Sequence, residues 1–326
     1  MPRPAASVII AGMSLVIAVD IGGTHIRVAA YAPEQTTPVK HHRVPSEGLK
    51  PGVFDRLVQA VEAVWPADGD VAAIGMAVPG ALDLHQGIIL NTPNILEWQN
   101  FPVGPKLAER FGVPVYLNND ANLAALGEWK YGAGRGHDDL LYLTISTGIG
   151  GGVICNGRLL EGYHGLAAEL GHVTVDPNGP PCSCGAPGHI EALSSGRAIA
   201  RYVNEQLRAG ANSSLKADPA LSTYQIAEAA RQGDELALSA FERAGDYLGI
   251  AVVNFLHTFD PSALIFGGGV SQVGDLLFVP FEESLRKRVF HPRYLERLVI
   301  TRAALGDDAG LLGALALARI SEEDPP

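Results

Sequence analysis

The sequence predicts an α/β protein with two domains, and three observations support this fold class. The chain has 326 residues, more than the commonest size of one domain, so two domains of about 150 residues are the default. Apolar residues make up 47% of the sequence, which is enough for two hydrophobic cores. Strand-like apolar runs alternate with amphipathic helices, and the order strand, glycine-rich turn, returning strand occurs twice.

The first of these hairpins lies near the start of the chain. The β-branched run 15–21 predicts a buried strand, and the glycines after it turn the chain into a returning strand at 25–31. Glycines leave backbone N–H groups open to an anion, although a plain Gly-Gly turn is the alternative. Asp20 ends the strand, where it is placed to hold Mg²⁺ directly or through water. The candidate phosphate contacts are Gly22, Gly23 and Thr24.

The next part of the chain continues the alternation. The apolar face of residues 53–65 predicts a helix, and the almost wholly apolar run 71–78 predicts a strand buried on both faces. Loops are predicted around Gly80 and around Asn94, since Asn- and Pro-rich segments form turns in most proteins. Other predicted elements are strands at 39–44 and 113–117, a short helix that ends at 111, and a helix at 121–129.

Polar residues gather between the strand at 113–117 and the following helix. The run is Asn118-Asn119-Asp120-Ala121-Asn122. A carboxylate at a strand-to-helix junction lies at the mouth of a sheet, where α/β proteins bind ligands. Asn and Asp are also preferred helix caps, but four polar residues in five positions exceed what one cap requires. The run is therefore a candidate ligand site.

The second hairpin repeats the first. A strand at 140–145 leads into a glycine-rich turn, and a returning strand is predicted at 153–155. The turn lacks the Gly-Lys-Ser/Thr of a Walker loop, and no helix follows it as a dinucleotide fingerprint requires. A third glycine-rich turn, after a strand at 262–266, is suited to a base and ribose lying against the backbone. The candidate nucleotide contacts are Thr147, Gly148, Gly150, Gly268 and Gly269.

Helices dominate the last third of the sequence. Apolar spacing predicts helices at 195–207, 223–231 and 235–259, a helix around 281–289 and a final helix that ends at 320. A strand is predicted at 298–301.

Two short segments, Glu169 to His172 and Cys182 to Glu191, hold two carboxylates, two imidazoles and two thiols among glycines and prolines. Zinc accepts thiolate and imidazole ligands in fours, and a metal could replace the missing local core. The alternative is two ordinary thiols and two surface histidines. The candidate ligands are His172, Cys182, Cys184 and His189.

Composition limits the class of protein. The formal net charge of −11 argues against a general nucleic-acid binder, which needs a basic face. Three cysteines do not form the even framework of a secreted disulfide protein. An apolar run at 8–19 resembles a signal peptide, but it leads directly into the first strand, and Met13 is a possible start. No stretch reaches the ~20 apolar residues of a membrane span, so we expect a soluble, cytoplasmic protein.

The same motifs carry a family resemblance. Glu-x-Gly-His at 169–172, followed by Cys-x-Cys-Gly-x-x-Gly-(ligand)-x-Glu at 182–191, resembles the signature of the ROK family of sugar kinases, repressors and related proteins. Asn-Asp-Ala-Asn at 119–122 matches the catalytic segment of ROK kinases. His189 stands where the family normally has a third cysteine, which histidine is chemically able to replace. His25 stands where the family usually has a lysine.

The resemblance covers about residues 15–320 and implies an actin/hexokinase-like, ribonuclease H-like fold. In that architecture two α/β domains flank a cleft. The small domain would comprise residues 1–122 and a C-terminal helix at about 307–320, and the large domain residues 123–306 with the zinc segment.

The resemblance also implies a function, the ATP-dependent phosphorylation of a hexose. Glucose is the expected acceptor, with fructose, mannose, allose and N-acetylmannosamine as alternatives. Asp120 would act as general base, ATP would be bound with Mg²⁺ near Asp20, and zinc would be structural. The implied sugar contacts are Gly80, Asn94, Asn119, Asp120, Glu169, His172 and Glu191.

The family contains sugar-sensing repressors as well, and it suggests a homodimer or homotetramer. Repressors carry a helix-turn-helix before the first hairpin, whereas about fourteen residues precede it here. We therefore expect a kinase that binds a hexose and ATP, with neither nucleic acid nor membrane as a partner.

Overall fold

A computed structural model describes residues 14–46, 52–68, 70–92 and 95–323. The strands are β1 (Leu15–Ile21), β2 (His25–Tyr31), β3 (Lys40–Pro45), β4 (Val71–Val78), β5 (Ala81–Asp83), β6 (Ile88–Asn91), β7 (Val115–Asn119), β8 (Leu140–Ile145), β9 (Ile149–Cys155), β10 (Arg158–Leu159), β11 (Ala263–Gly267) and β12 (Val299–Arg302). The helices are α1 (Val53–Val64), α2 (Val103–Phe111), α3 (Asp120–Tyr131), α4 (Glu191–Ser194), α5 (Gly196–Arg208), α6 (Thr223–Arg231), α7 (Glu235–Phe259), α8 (Asp275–Arg288), α9 (Arg293–Glu296) and α10 (Ala309–Glu323).

The chain forms two compact units. The first contains the described residues up to Tyr131, Glu161–Ala167 and the chain from Asp307 onward. The second contains Gly132–Leu160 and Ala168–Gly306. The boundary expected at residue 122 falls inside α3, and all of α3 lies in the first unit because it packs against α10. The two helices approach so closely that a Cβ at Gly313 would collide with the carbonyl oxygen of Leu123.

The first unit is built on a five-stranded sheet in the order β3-β2-β1-β4-β7. β1 and β3 run antiparallel to β2, while β4 pairs in parallel with both β1 and β7. Every residue of β1 is buried, including Asp20, as the otherwise apolar run predicts for a central strand. Leu57 and Val61 of α1 belong to the core on one face, and α10 packs against β1 and β4.

The second unit repeats this arrangement. Its sheet has the order β10-β9-β8-β11-β12, with antiparallel pairs at β10/β9 and β9/β8 and parallel pairs at β8/β11 and β11/β12. The order of strands and their directions therefore match the first unit, which confirms the predicted duplication of the hairpin. The core lies between this sheet and α5 to α8 and includes Leu143, Phe241 and Phe266.

Some elements differ from the sequence prediction. The segments predicted as loops beside Gly80 contain the small antiparallel sheet β5/β6. β7 extends through Asn119 and α3 begins directly at Asp120. α8 begins at Asp275, six residues before the predicted start, because the helix continues through Pro280. Among the described helices, none is both long and apolar enough to cross a membrane.

Candidate active site and metal centre

Asp20 lies at the end of β1, directly opposite Arg27 of β2. Its Oδ2 accepts hydrogen bonds from Nη2 and, at 3.1 Å, from Nε of Arg27. Burial raises the pKa of Asp20, while the charge and the hydrogen bond of Arg27 act in the opposite direction. Mg²⁺ commonly binds one or two carboxylates and keeps several waters. Asp20 is the residue that would hold a hydrated Mg²⁺, whose charge would offset that of a phosphate.

Some backbone groups of the turn after β1 already have hydrogen-bond partners within the protein. The N–H of Gly22 donates to His25 O at 2.9 Å, and Ser46 binds the carbonyl oxygens of Gly22 and Thr24 at 2.6 and 2.8 Å. Within the described chain, the N–H groups of Gly23 and Thr24 have no partner, so they are the donors left for an anion. Ser46, which is buried, was not anticipated from the sequence.

His25 lies beside an arginine of β3. Its Nδ1 lies 2.9 Å from Nη2 of Arg43. Since a guanidinium has donors and no acceptor, the imidazole nitrogen must accept this hydrogen bond.

The junction of β7 and α3 positions Asp120. Asn119 caps the helix, since its Oδ1 accepts from the N–H groups of Ala121 and Asn122 at 2.9 and 3.4 Å. Its Nδ2 also donates to Gly80 O at 3.3 Å, so two of the predicted sugar contacts meet. Asp120 is exposed at the first position of α3, where a substrate can reach it.

Gly80 adopts φ +105°, and a Cβ there would collide with the carbonyl oxygen of Asn91. Glycine is therefore required at this position, next to the Asn119 side chain. Asn94, the other predicted loop residue, lies outside the described residues.

A buried asparagine supports the same junction. Asn118 is fully buried, and its Oδ1 accepts from the N–H of Asn119 at 2.8 Å and from Nδ2 of Asn122 at 3.1 Å. Its Nδ2 donates to Oε1 of Glu161 at 2.6 Å. Burial raises the pKa of Glu161, although the Asn118 hydrogen bond and the charge of His85 oppose the shift. The role of Glu161 is not evident from the sequence, since nothing local marks a partner 43 residues away.

The four predicted metal ligands converge in the second unit. Their donor atoms all lie within 4.8 Å of one another, so the four side chains could hold one metal ion. Nδ1 of His172 and Nδ1 of His189 are 3.3 Å apart. Cys182 Sγ lies 3.6 Å from His172 Nδ1, and Cys184 Sγ lies 3.3 Å from His189 Nδ1.

These distances suit zinc. With bonds of about 2.0–2.1 Å to nitrogen and about 2.3 Å to sulfur, a tetrahedral Zn²⁺ sets N···N edges near about 3.3 Å and N···S edges near about 3.6 Å. Burial and the neighbouring His172 lower the pKa of His189, which favours the neutral imidazole that a metal requires. Burial raises the pKa of the Cys182 thiol, so its thiolate form needs a compensating positive charge such as a metal.

Glu169 and Glu191 flank the cluster in different ways. Glu169 is exposed, and its Oε2 lies 3.9 Å from Nε2 of His172, on the ring nitrogen opposite the cluster. Glu191, at the start of α4, accepts from Ser183 Oγ at 2.8 Å through Oε1 and from Ile149 N–H at 3.1 Å through Oε2. Glu191 therefore joins the cysteine segment to the turn between β8 and β9.

That turn is shorter than predicted. It comprises residues 146–148, closed by a hydrogen bond of 2.8 Å from Ser146 N to Gly148 O. Gly150 lies on β9 opposite Thr144, so it belongs to the strand and not to the turn. Gly268 precedes a 3₁₀ turn with φ +81°, a conformation that favours glycine. Thr147 and Gly269 line one cavity of about 570 Å³.

Comparison with known proteins gives a consistent result. Residues 16–321 match the ROK family. The chain is 40% identical to a glucokinase of Thermotoga maritima over 92% of this chain and 96% of that protein. A xylose repressor of Bacillus spizizenii is 32% identical, with 91% of this chain and 75% of that protein covered.

Solved structures agree. The ROK hexokinase from Thermus thermophilus has a TM-score of 0.82 and 37% identity, over 95% of this chain and 99% of that one. A ROK family glucokinase from Streptomyces griseus, in complex with glucose and AMPPNP, has a TM-score of 0.74 and 36% identity. The match covers 94% of this chain and 100% of that one. The chain thus has the two-domain, actin-like α/β fold of these hexokinases.

Proposed function

The chain belongs to the ROK family, and we propose that it is a hexokinase that transfers the γ-phosphoryl group of ATP to glucose. The 40% identity to a glucokinase and the likeness to a glucokinase bound to glucose and AMPPNP support glucose as acceptor and ATP as donor.

The observation that carries the proposal is the position of Glu191. Its carboxylate is bonded to Ser183 in the cysteine segment and to Ile149 beside the glycine-rich turn. Carboxylates accept hydrogen bonds from sugar hydroxyls, and turns with open N–H groups bind phosphates. A group suited to a sugar is therefore held against a turn suited to a phosphate, within one unit of the protein.

Sugar recognition is assigned to carboxylate, amide and imidazole groups, and Gly80 and Asn94 are kept as further proposed contacts. A buried acceptor discriminates between sugars, because a misplaced hydroxyl leaves it unpaired. His172 is partly exposed and its Nε2 lies 3.9 Å from Oε2 of Glu169, which supports a role for this pair. The proposed contacts are Asn119, Asp120, Glu169, His172 and Glu191.

Asp120 is the proposed general base. It takes the proton of the attacking hydroxyl as the new O–P bond forms and the bond to the β-phosphate oxygen breaks, so ADP leaves. Its exposure at the start of α3 supports this role, and Asn119 and Asn118 fix the backbone around it.

ATP is proposed to bind through backbone donors of the two glycine-rich turns, which are Gly22, Gly23 and Thr24 in the first unit and Thr147 and Gly148 in the second. Gly268 and Gly269 are assigned to the nucleoside, and Gly150 supports the second turn from β9. Mg²⁺ bound near Asp20 would offset phosphate charge.

Zinc is proposed to be structural. The ligand set of His172, Cys182, Cys184 and His189 leaves no open position for a substrate. The metal would hold the segments of Glu169 and Glu191 in place, since each is next to a ligand segment.

The proposal is tested with purified protein, ATP and Mg²⁺ in a coupled spectrophotometric assay. The acceptors are glucose, fructose, mannose, allose and N-acetylmannosamine at matched concentrations. We expect the highest kcat/KM with glucose. Preference for another of these sugars would change the acceptor, and phosphorylation of none of them would overturn the proposal.

A transcriptional regulator is the second candidate, because the chain is 32% identical to a xylose repressor. The higher identity to a glucokinase favours the kinase. Sequence-specific DNA binding in a gel-shift assay, together with absence of kinase activity, would support the regulator. A cytoplasmic location and a homodimer or homotetramer stay predictions.

A further inference from the structure

The cavity that contains Thr147 and Gly269 extends along α5 and α6, beyond the residues assigned above. Its volume of about 570 Å³ lies within the range of about 300–1,000 Å³ typical of small-molecule sites. Leu221 and Ala227 are buried and line it with apolar surface, while Arg197 and Tyr224 reach it as exposed side chains.

Arg197 is a cation available to a ligand. It lies in the first turn of α5, and within the described part of the chain no hydrogen bond or ion pair engages its guanidinium. Arg231, which also lines the cavity, is by contrast paired with Glu228. Because the first turn of a helix already carries partial positive charge, an arginine there strengthens the local attraction for an anion.

Hydrogen bonds fix the backbone beside Arg197. Gly196 N–H donates to Ser146 O at 2.8 Å, and Thr223 Oγ1 donates to Gly196 O at 3.1 Å. A Cβ at Gly196 would lie 2.9 Å from Ser146 O, so this approach depends on glycine. Arg197 is therefore tied to the turn that is proposed to bind phosphate, and α6 is tied to the same point.

Tyr224 offers an aromatic face. It lies in the first turn of α6, between the capping-box residues Ser222 and Gln225, and 71% of the residue is exposed. An exposed aromatic ring on a cavity with apolar lining suits a nucleobase, since stacking on aromatic side chains tolerates every base. The cavity thus combines a cation for phosphate with a ring for a base.

We infer that Arg197 binds a phosphate group of the nucleotide donor and that Tyr224 stacks on its base. The inference rests on the proposed function, in which ATP is the donor.

The test separates the two halves of the nucleotide. Calorimetry measures the binding of ATP, adenosine and inorganic tripolyphosphate to the wild-type protein, Arg197→Gln and Tyr224→Ala. Loss of a charge-assisted hydrogen bond should weaken tripolyphosphate and ATP about tenfold or more in Arg197→Gln, with adenosine changed less than about twofold. Tyr224→Ala should weaken adenosine and ATP about fivefold or more and leave tripolyphosphate within about twofold.

Two variants serve as controls. Arg208→Gln removes an exposed arginine from the last turn of the same helix and should change none of the three affinities. Tyr224→Phe keeps the ring and should bind adenosine as the wild type does. Thermal unfolding of every variant checks that the fold is retained.

Several outcomes would overturn the inference. One is unchanged tripolyphosphate binding in Arg197→Gln, and another is unchanged adenosine binding in Tyr224→Ala. A third is that either variant weakens tripolyphosphate and adenosine equally. The fourth is a wild-type protein that binds neither ATP, adenosine nor tripolyphosphate. A wild type that binds ATP but phosphorylates no hexose would refute the proposed function alone.

Discussion

The backbone N–H of Ile149 donates to Oε2 of Glu191 at 3.1 Å. The carbonyl oxygen of the same Ile149 lies against Gly171, so closely that a Cβ there would collide with it. One residue of β9 therefore contacts both segments that carry the predicted sugar-binding carboxylates. The positions of these carboxylates depend on the glycine-rich turn as well as on the metal ligands.

Gly148→Ala tests this dependence. The new Cβ would collide with Oε2 of Glu191, and because a glutamate side chain can swing away, we expect the protein to fold. Glu191 would lose its bond to Ile149, a loss of about 1.5–3 kcal/mol, so kcat/KM for glucose should fall about 10- to 100-fold. Steady-state kinetics measure the change. Gly52→Ala is the control, since the nearest atom to a Cβ at Gly52 is 4.0 Å away. Wild-type activity in Gly148→Ala would show that sugar binding does not depend on the bond between Glu191 and Ile149.

Substitutions of His189 test the metal centre. His189→Cys restores the ligand that the family usually has and should keep about one zinc per chain, whereas His189→Ala leaves three ligands and should lose most of it. Elemental analysis by mass spectrometry gives the zinc content, and thermal unfolding should show a lower Tm in His189→Ala. His164→Ala, an exposed histidine outside the cluster, is the control. Equal zinc content in all of these proteins would exclude His189 as a ligand.

Asp120→Asn tests the general base. A base typically contributes about 10²–10⁴ in rate, so kcat should fall by this factor while the KM for glucose changes little. Rapid-quench or coupled assays measure kcat. Asp275→Asn provides a matched control, because it removes an acidic residue from the first turn of α8 and so reproduces the loss of a favourable helix-dipole interaction. More than a tenth of the wild-type kcat in Asp120→Asn would argue for another base.

Asn118→Ala tests the support beneath Asp120. The substitution removes the acceptor for Asn119 N–H and for Asn122 Nδ2 in a fully buried environment. We expect the free energy of unfolding to fall by about 2–3 kcal/mol and kcat to fall with it. Urea denaturation and kinetics measure the two effects. Glu161→Gln keeps an oxygen acceptor for Asn118 and should be milder, and a larger effect in Glu161→Gln than in Asn118→Ala would contradict this assignment.

Asp234 should give a pH-dependent contribution to stability. Burial alone would raise the pKa of Asp234, but hydrogen bonds from the N–H groups of Ala237 and Ser214 and from the hydroxyls of Ser213 and Ser214 outweigh it and lower the pKa to about 2. Because the folded pKa lies below the unfolded value of about 3.9, the carboxylate stabilises the fold above about pH 4, and this is lost as the pH falls toward 2.

Asp234→Asn keeps an oxygen for the helix cap and removes the charge. Since the side chain is partly exposed, we expect a loss of about 1 kcal/mol in the free energy of unfolding at pH 7. The difference from the wild type should shrink between pH 4 and pH 2. Urea denaturation over this range measures it, with Asp55→Asn as control for net charge. A difference that stays constant with pH would show that the charge has no role.

The sequence predicted the parts of the site that depend on neighbours in the chain. The two hairpins follow from apolar strands joined by glycines, and the metal cluster follows from two cysteines and two histidines close in sequence. These features are local, because turn residues, strand alternation and ligand spacing act over a few positions.

Only the tertiary structure decided which distant groups meet. Glu161 binds Asn118 across 43 residues, and Glu191 binds Ile149 across 42. Arg197 of α5 and Tyr224 of α6 line one cavity, and they too are brought together only by the tertiary structure. Periodicity identifies the face of an element that is buried, but it carries no information about the partner, which is fixed by how sheets and helices pack over the whole chain.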